Sequence, residues 1–134
     1  MPERILVVDD EPKVLATIKK QLEVAGFEVI TAVDGAEAIK LAHSGHPRLM
    51  VLDLILPGLS GYHVCKLLKS DERYKAMPII ILTARSEKKD MEEGLKMEAD
   101  GYITKPCDPD VLVEVIRSTL AKSKWGGAPP KWVR

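Results

Sequence analysis

The chain has 134 residues, 46% of them hydrophobic, and its 20 basic and 20 acidic side chains cancel to no net charge. That length suits one domain with an ordinary core and excludes an eight-unit βα barrel, which needs roughly 200 residues or more. All 20 acids fall within residues 1–121, against 16 basic residues there, so the body is acidic with no Lys/Arg cluster, which argues against direct nucleic-acid binding.

No apolar run approaches the ~20 residues of a membrane span, so no membrane association is expected. Met1-Pro2-Glu3-Arg4 leads straight into an apolar run with no signal-peptide pattern. Cys65 and Cys107 lie in no CxxC or Cys/His cluster and read as reduced thiols of a cytoplasmic protein.

The pattern alternates strand and helix five times. Strand 1 covers about Arg4–Val8 and helix 1 about Glu11–Ala25, with Val14, Ile18 and Leu22 on one stripe and Pro12 in the first turn. Gly26 suits the helix C-terminus. Strand 2 is Glu28–Ala32, and Asp34-Gly35 opens helix 2, whose inward face is Ala38, Ile39 and Ala42. Strand 3 is Leu49–Leu52, followed by turn signals at Pro57-Gly58 and Gly61. Helix 3 covers about Tyr62–Ser70, strand 4 Pro78–Leu82, helix 4 about Glu87–Met97 and strand 5 Gly101–Thr104. Helix 5 begins with Asp108 as N-cap and Pro109 at its first position, and continues through Val111, Leu112, Val115, Ile116 and Leu120.

Short apolar strands separated by amphipathic helices read as a parallel α/β sheet with helices on both faces. Five such units imply a flavodoxin-like, doubly wound (βα)5 fold with strand order 2-1-3-4-5. The expected domain covers 1–121. Residues 122–134, with Lys122, Lys124, Lys131 and Arg134 and no acid, read as a flexible basic tail or linker stump, or alternatively as a docking peptide anchored by Trp125 or Trp132.

Four strands end on residues able to do chemistry: Asp9 and Asp10 after strand 1, Asp53 after strand 3, Thr83 after strand 4, and Lys105 with Pro106 after strand 5. Ligands of open α/β sheets bind beyond the carboxyl ends of the strands, so these groups converge. Three close carboxylates raise one another's pKa unless a cation holds them ionised. Mg²⁺ fits, since it takes hard oxygen donors, commonly carboxylates with waters and a phosphate. Asp10 and Asp53 would bind it directly and Asp9 through water. An ionised Asp53 is then a nucleophile toward a phosphoryl group, with Lys105 neutralising the oxygens and Thr83 donating a hydrogen bond.

Taken singly, these residues have plainer readings: helix caps for Asp9 or Asp10, a β-branched strand end for Thr83, a packing aromatic for Tyr102. His43, His46 and His63 are scattered and read as solvated or capping residues. Gly58 and Gly61 lack the G-x-x-x-x-G-K-S/T phosphate-loop pattern and read as turn glycines.

In order and spacing, Asp9-Asp10, Asp53 followed by Leu-Ile-Leu-Pro-Gly, Thr83-Ala84 and Lys105-Pro106 resemble the receiver domain of bacterial two-component response regulators, of the chemotaxis-regulator type, over about residues 4–121. The resemblance implies a phosphorylation-activated signalling switch rather than an enzyme. Asp53 would accept a phosphoryl group from a histidine kinase or phosphotransfer protein. Asp9, Asp10, Asp53 and the Ile55 carbonyl would hold Mg²⁺, and Lys105 would bind the phosphate. The Lys105–Pro106 bond would be cis. Thr83 and Tyr102 would be a switch pair relaying the change to the surface of helix 4, strand 5 and helix 5, which engages a downstream protein target or an effector domain. Asp100 precedes Gly101 rather than a second acid, which puts the family's ion-paired dimer in doubt and implies a monomer or a weak phosphorylation-dependent dimer. Ile55 and Arg85 would flank the phosphate and slow water attack. The competing reading is an aspartate-nucleophile phosphatase or phosphotransferase, but those resemble Asp-x-Asp at the first strand with a lid domain. A flavin carrier would need a phosphate-binding loop where this chain has acids.

Overall fold

A computed structural model of the chain describes residues 2–84, 92 and 96–129. The strands are β1 (Arg4–Val8), β2 (Glu28–Ala32), β3 (Leu49–Leu52), β4 (Ile79–Thr83) and β5 (Gly101–Thr104). All pair in parallel, in the order β2-β1-β3-β4-β5. The helices are α1 (Pro12–Val24), α2 (Gly35–Ser44), α3 (Gly61–Ser70) and α4 (Pro109–Lys122), the last corresponding to the fifth helix of the sequence pattern. The predicted helix over 87–97 lies largely outside the described residues.

Alternation along each strand splits the core into two layers. Leu6 and Val8 of β1, Met50 and Leu52 of β3, and Ile79 and Ile81 of β4 face α2 and α3, where they meet Ala38, Ala42, Val64, Cys65 and Leu68. Ile5, Val7, Leu49, Val51, Ile80 and Leu82 face the other way, onto Leu15, Ile18 and Leu22 of α1 and Leu112, Ile116 and Leu120 of α4. With both faces covered, β1, β3 and β4 have no polar alternation, and their apolar runs follow from that.

Local chemistry sets the helix ends. Asp34 accepts a hydrogen bond from the Glu37 N–H at 2.8 Å, Ser60 from that of His63 at 3.4 Å, and Asp108 from that of Asp110 at 2.9 Å. Pro12 and Pro109 occupy first turns, where no amide hydrogen is needed. Gly26 after α1 has φ of +100°, a backbone shape that only glycine adopts at little cost.

Several expectations shift. Strand 4 runs one residue later than read, because Thr83 still pairs with Thr104 of β5. Helix 3 begins at Gly61 rather than Tyr62, with Ser60 as its cap. Leu15 joins the buried stripe of α1 while Val14 is only half-buried, and Val111, expected inside, is 48% exposed. The largest departure is at the C-terminus. Lys122 is the last residue of α4, and Trp125 is not part of a flexible tail: it is buried in the layer beneath α2 and α3. Its indole N–H donates to the Pro47 carbonyl at 2.8 Å, and its ring sits 5.8 Å from that of Tyr74. An aromatic of this size that finds both a core and an acceptor orders the chain around it. Trp132, the other anchor considered, lies outside the described residues, as do Lys131 and Arg134.

Candidate phosphoacceptor and metal site

The site follows from the sheet register. Val8 of β1 pairs with Leu52 of β3, so the next residues, Asp9 and Asp53, leave the carboxyl edge side by side. The ladder continues past the strand ends: the Asp9 N–H donates to Ala32 at 3.1 Å, that of Asp53 to Val8 at 3.0 Å, and that of Lys105 to Thr83 at 2.8 Å. Asp9, Asp53 and Lys105 are therefore held by backbone, not by loop packing alone. The Lys105–Pro106 peptide is cis.

Each buried carboxylate divides its oxygens between two tasks. Asp9 Oδ1 accepts from the Glu11 N–H at 2.9 Å, and Asp53 Oδ1 from the Ile55 N–H at 3.0 Å. The Oδ2 atoms of both accept from Lys105 Nζ, that of Asp53 at 3.0 Å. Burial favours the neutral amine of Lys105, but the hydrogen bonds it donates to Asp9 and Asp53 outweigh this and leave the ammonium pKa above its ordinary value.

Asp10 is exposed, and its carboxylate lies with those of Asp9 and Asp53 so that one oxygen from each falls within 4.8 Å of the others. Three carboxylates against one ammonium leave the cluster about two charges negative. Hard, anionic and open to solvent on the Asp10 side, this donor set fits Mg²⁺. Ile55 presents its amide to Asp53 and is itself 48% exposed.

Thr83 ends β4 at the same sheet edge. Its side chain is fully buried, and its hydroxyl oxygen has no hydrogen-bond partner among the described residues. A buried hydroxyl left so costs about 1–3 kcal/mol. Tyr102 pairs in register with Ile81, two residues before Thr83, so Thr83 and Tyr102 share the α3-facing side of the sheet. Tyr102 is half-buried there. Arg85 lies outside the described residues.

Sequence reading took Gly61 for a turn glycine, yet it is packed directly under the Asp53 carbonyl. Nothing in its local pattern signals this, because the contact forms only when α3 folds back onto the end of β3.

Comparison with known proteins agrees with this arrangement. The family model "response regulator receiver domain" matches residues 5–117. The chain is 43% identical over 120 residues to a probable transcriptional regulator, ycf27, of Porphyridium aerugineum, covering 90% of this chain and 49% of that protein. It is 42% identical over 124 residues to the alkaline phosphatase synthesis transcriptional regulatory protein PhoP of Bacillus subtilis, covering 92% of this chain and 51% of that one. The chain thus spans about half the length of these curated relatives. Among solved structures, a putative response regulator from Chloroflexus aurantiacus superposes with a TM-score of 0.87 at 33% identity, covering 91% of this chain and 100% of that one. The chemotaxis protein CheY4 of Vibrio cholerae does so at 0.83 and 28% identity, covering 89% and 99%. With the strand order, the acids at the carboxyl edge and this match over most of its length, the chain belongs to the receiver domains of two-component response regulators.

Proposed function

We propose that the domain is a phosphorylation-driven signalling switch in which Asp53 is the phosphoacceptor. One observation carries the reading: Lys105 holds Asp9 and Asp53 together at the sheet edge where β4 ends in a buried Thr83 hydroxyl that lacks a partner among the described residues. Acceptance of phosphate resolves each of these features. An Asp53 carboxylate oxygen attacks the phosphorus of a histidine kinase or phosphotransfer protein. The bond to the donor's imidazole nitrogen breaks, and that nitrogen keeps the electron pair. Lys105 then turns from carboxylate to phosphoryl oxygen, and Thr83 gains an acceptor. Mg²⁺, held by Asp9, Asp10, Asp53 and the Ile55 carbonyl, would supply charge neutralisation at the phosphoryl oxygens.

The output follows from differential contacts. Only the phosphorylated state offers Thr83 an acceptor, so phosphorylation favours an inward Thr83, and Tyr102 on the same sheet face moves into the vacated space. The β5–α4 surface then changes its affinity for a protein target or for an effector unit such as the longer relatives carry. The protein's own chemistry is confined to its phosphorylation and dephosphorylation, in the cytoplasm. No helix among the described residues is long and apolar enough to cross a membrane.

Intact mass after incubation with acetyl phosphate tests the reading. A Mg²⁺-dependent gain of one phosphoryl group, absent in Asp53→Asn, is expected. No gain in the parent protein under these conditions would sink it.

A further inference from the structure

Gly61 opens α3 without a positive φ, so its backbone shape is open to any residue and conformational freedom does not explain the glycine. Space does. A Cβ there would lie 2.1 Å from the Asp53 carbonyl oxygen, 2.6 Å from Leu54 Cα and 2.9 Å from the Asp53 carbonyl carbon. All three are backbone atoms that cannot rotate aside. The Gly61 N–H also donates to the Leu54 carbonyl at 3.1 Å. The first turn of α3 therefore rests on the peptide that carries Asp53.

The same loop is pinned from α2. A Cβ at Gly35 would meet the Leu59 carbonyl oxygen at 2.4 Å and Val64 Cγ2 at 2.9 Å. Both anchor points are contacts that only a missing side chain permits. Between them, Asp53 must place one oxygen on the Ile55 amide and the other on Lys105, each at 3.0 Å. Those distances depend on where the Asp53 backbone sits.

We propose that Gly61 is a positioning residue for Asp53: its bare Cα lets α3 seat against the Asp53 carbonyl and sets the reach of the carboxylate toward Lys105 and the incoming phosphoryl group. This rests on the reading of Asp53 as phosphoacceptor. Ala is a better helix former than Gly, so in the absence of this contact Gly61→Ala would strengthen α3. With it, about 1 Å must open between α3 and the Asp53 peptide, and a displacement of that size is worth about 10²-fold in rate.

The test compares phosphorylation by acetyl phosphate, over a Mg²⁺ titration that reaches saturation and at temperatures where each protein is folded, in the parent, Gly61→Ala and Gly45→Ala. Gly45 is a steric control: a Cβ there meets Ile30 Cδ1 at 2.6 Å and the Leu41 carbonyl oxygen at 2.7 Å, at the far end of α2 from Gly35. Gly45→Ala is expected to lose stability and keep the parent rate. Folded Gly61→Ala is expected to react about 10²-fold more slowly and to need more Mg²⁺ for half its maximal rate. Folded Gly61→Ala at the parent rate overturns the proposal, and so does an equal loss in Gly45→Ala. If Gly61→Ala does not fold, Gly35→Ala carries the comparison, and a parent-like rate there is equally fatal. A parent that takes no phosphoryl group overturns the phosphoacceptor reading, and this inference falls with it.

Discussion

Lys69 donates to Asp100 at 2.8 Å from a side chain that is only 7% exposed, and this pair ties α3 to the start of β5. The ammonium also donates to the carbonyls of Met77, at 2.8 Å, and Lys75, at 3.2 Å. The same Asp100 oxygen takes the Ile79 N–H at 2.8 Å. One ion pair thus satisfies the backbone leading into β4. Lys69→Met is expected to cost about 2 kcal/mol. That lies between the values for exposed and fully buried pairs, because Asp100 remains 37% exposed. Urea titration would show a lower midpoint at unchanged slope. An unchanged midpoint would mean the pair is only a surface contact.

Cys65 makes the fold sensitive to alkaline pH. Burial favours its neutral thiol, and this outweighs the nearby Lys69 charge and raises the pKa from 9.0 to about 11. The folded state thus holds the proton more tightly than the unfolded one. The corresponding stability is complete below pH 9 and is lost as the pH rises toward 11, with an upper bound of ~3 kcal/mol. Denaturant midpoints for the parent and Cys65→Ala should converge between pH 8 and pH 10.5. Parallel pH profiles would exclude this role for the thiol.

Thr83→Val replaces a buried hydroxyl that has no partner among the described residues with a methyl group of similar size. The unphosphorylated protein should gain about 1 kcal/mol, since nothing is lost but a desolvation cost. The phosphorylated protein should gain nothing, because its Thr83 hydroxyl would have an acceptor. Melting curves with and without acetyl phosphate separate the two. A Thr83→Val variant less stable in both states would show that the hydroxyl is already satisfied.

Much of this was legible in the sequence because the features are one-dimensional. Ile5–Val8, Leu49–Leu52 and Ile79–Leu82 are apolar on both sheet faces, and that forces buried parallel strands. The acids stand at the ends of the first two and the lysine at the end of β5, and topology alone then brings them to one edge. What stayed hidden depends on distant partners. Lys69 looks like an ordinary exposed lysine of an amphipathic helix until Asp100, 31 residues on, folds beside it. Gly61 looks like punctuation until the Asp53 carbonyl lies against it. Trp125 follows a helix end and precedes Gly-Gly-Ala-Pro-Pro, a composition that reads as linker, and its acceptor Pro47 is 78 residues away.

The Trp125 anchor should carry measurable weight. Trp125→Ala removes a buried indole and is expected to cost about 3 kcal/mol, the lower part of the range for large aromatic truncations. It also frees the Pro47 carbonyl and leaves Tyr74 with His43, whose ring nitrogen lies 2.7 Å from the Tyr74 hydroxyl. A thermal midpoint within a degree or two of the parent would show that the tryptophan is only loosely held.

Helix ends ordinarily fray, opening and closing many times for each global unfolding. Here α4 ends at Lys122, and three residues later the chain is fastened to the turn before β3. The last amides of α4 can therefore exchange with solvent only when that fastening gives way. Hydrogen exchange at Thr119–Lys122 should be as slow as in the middle of the helix, so that the C-terminal turn opens with the core rather than ahead of it.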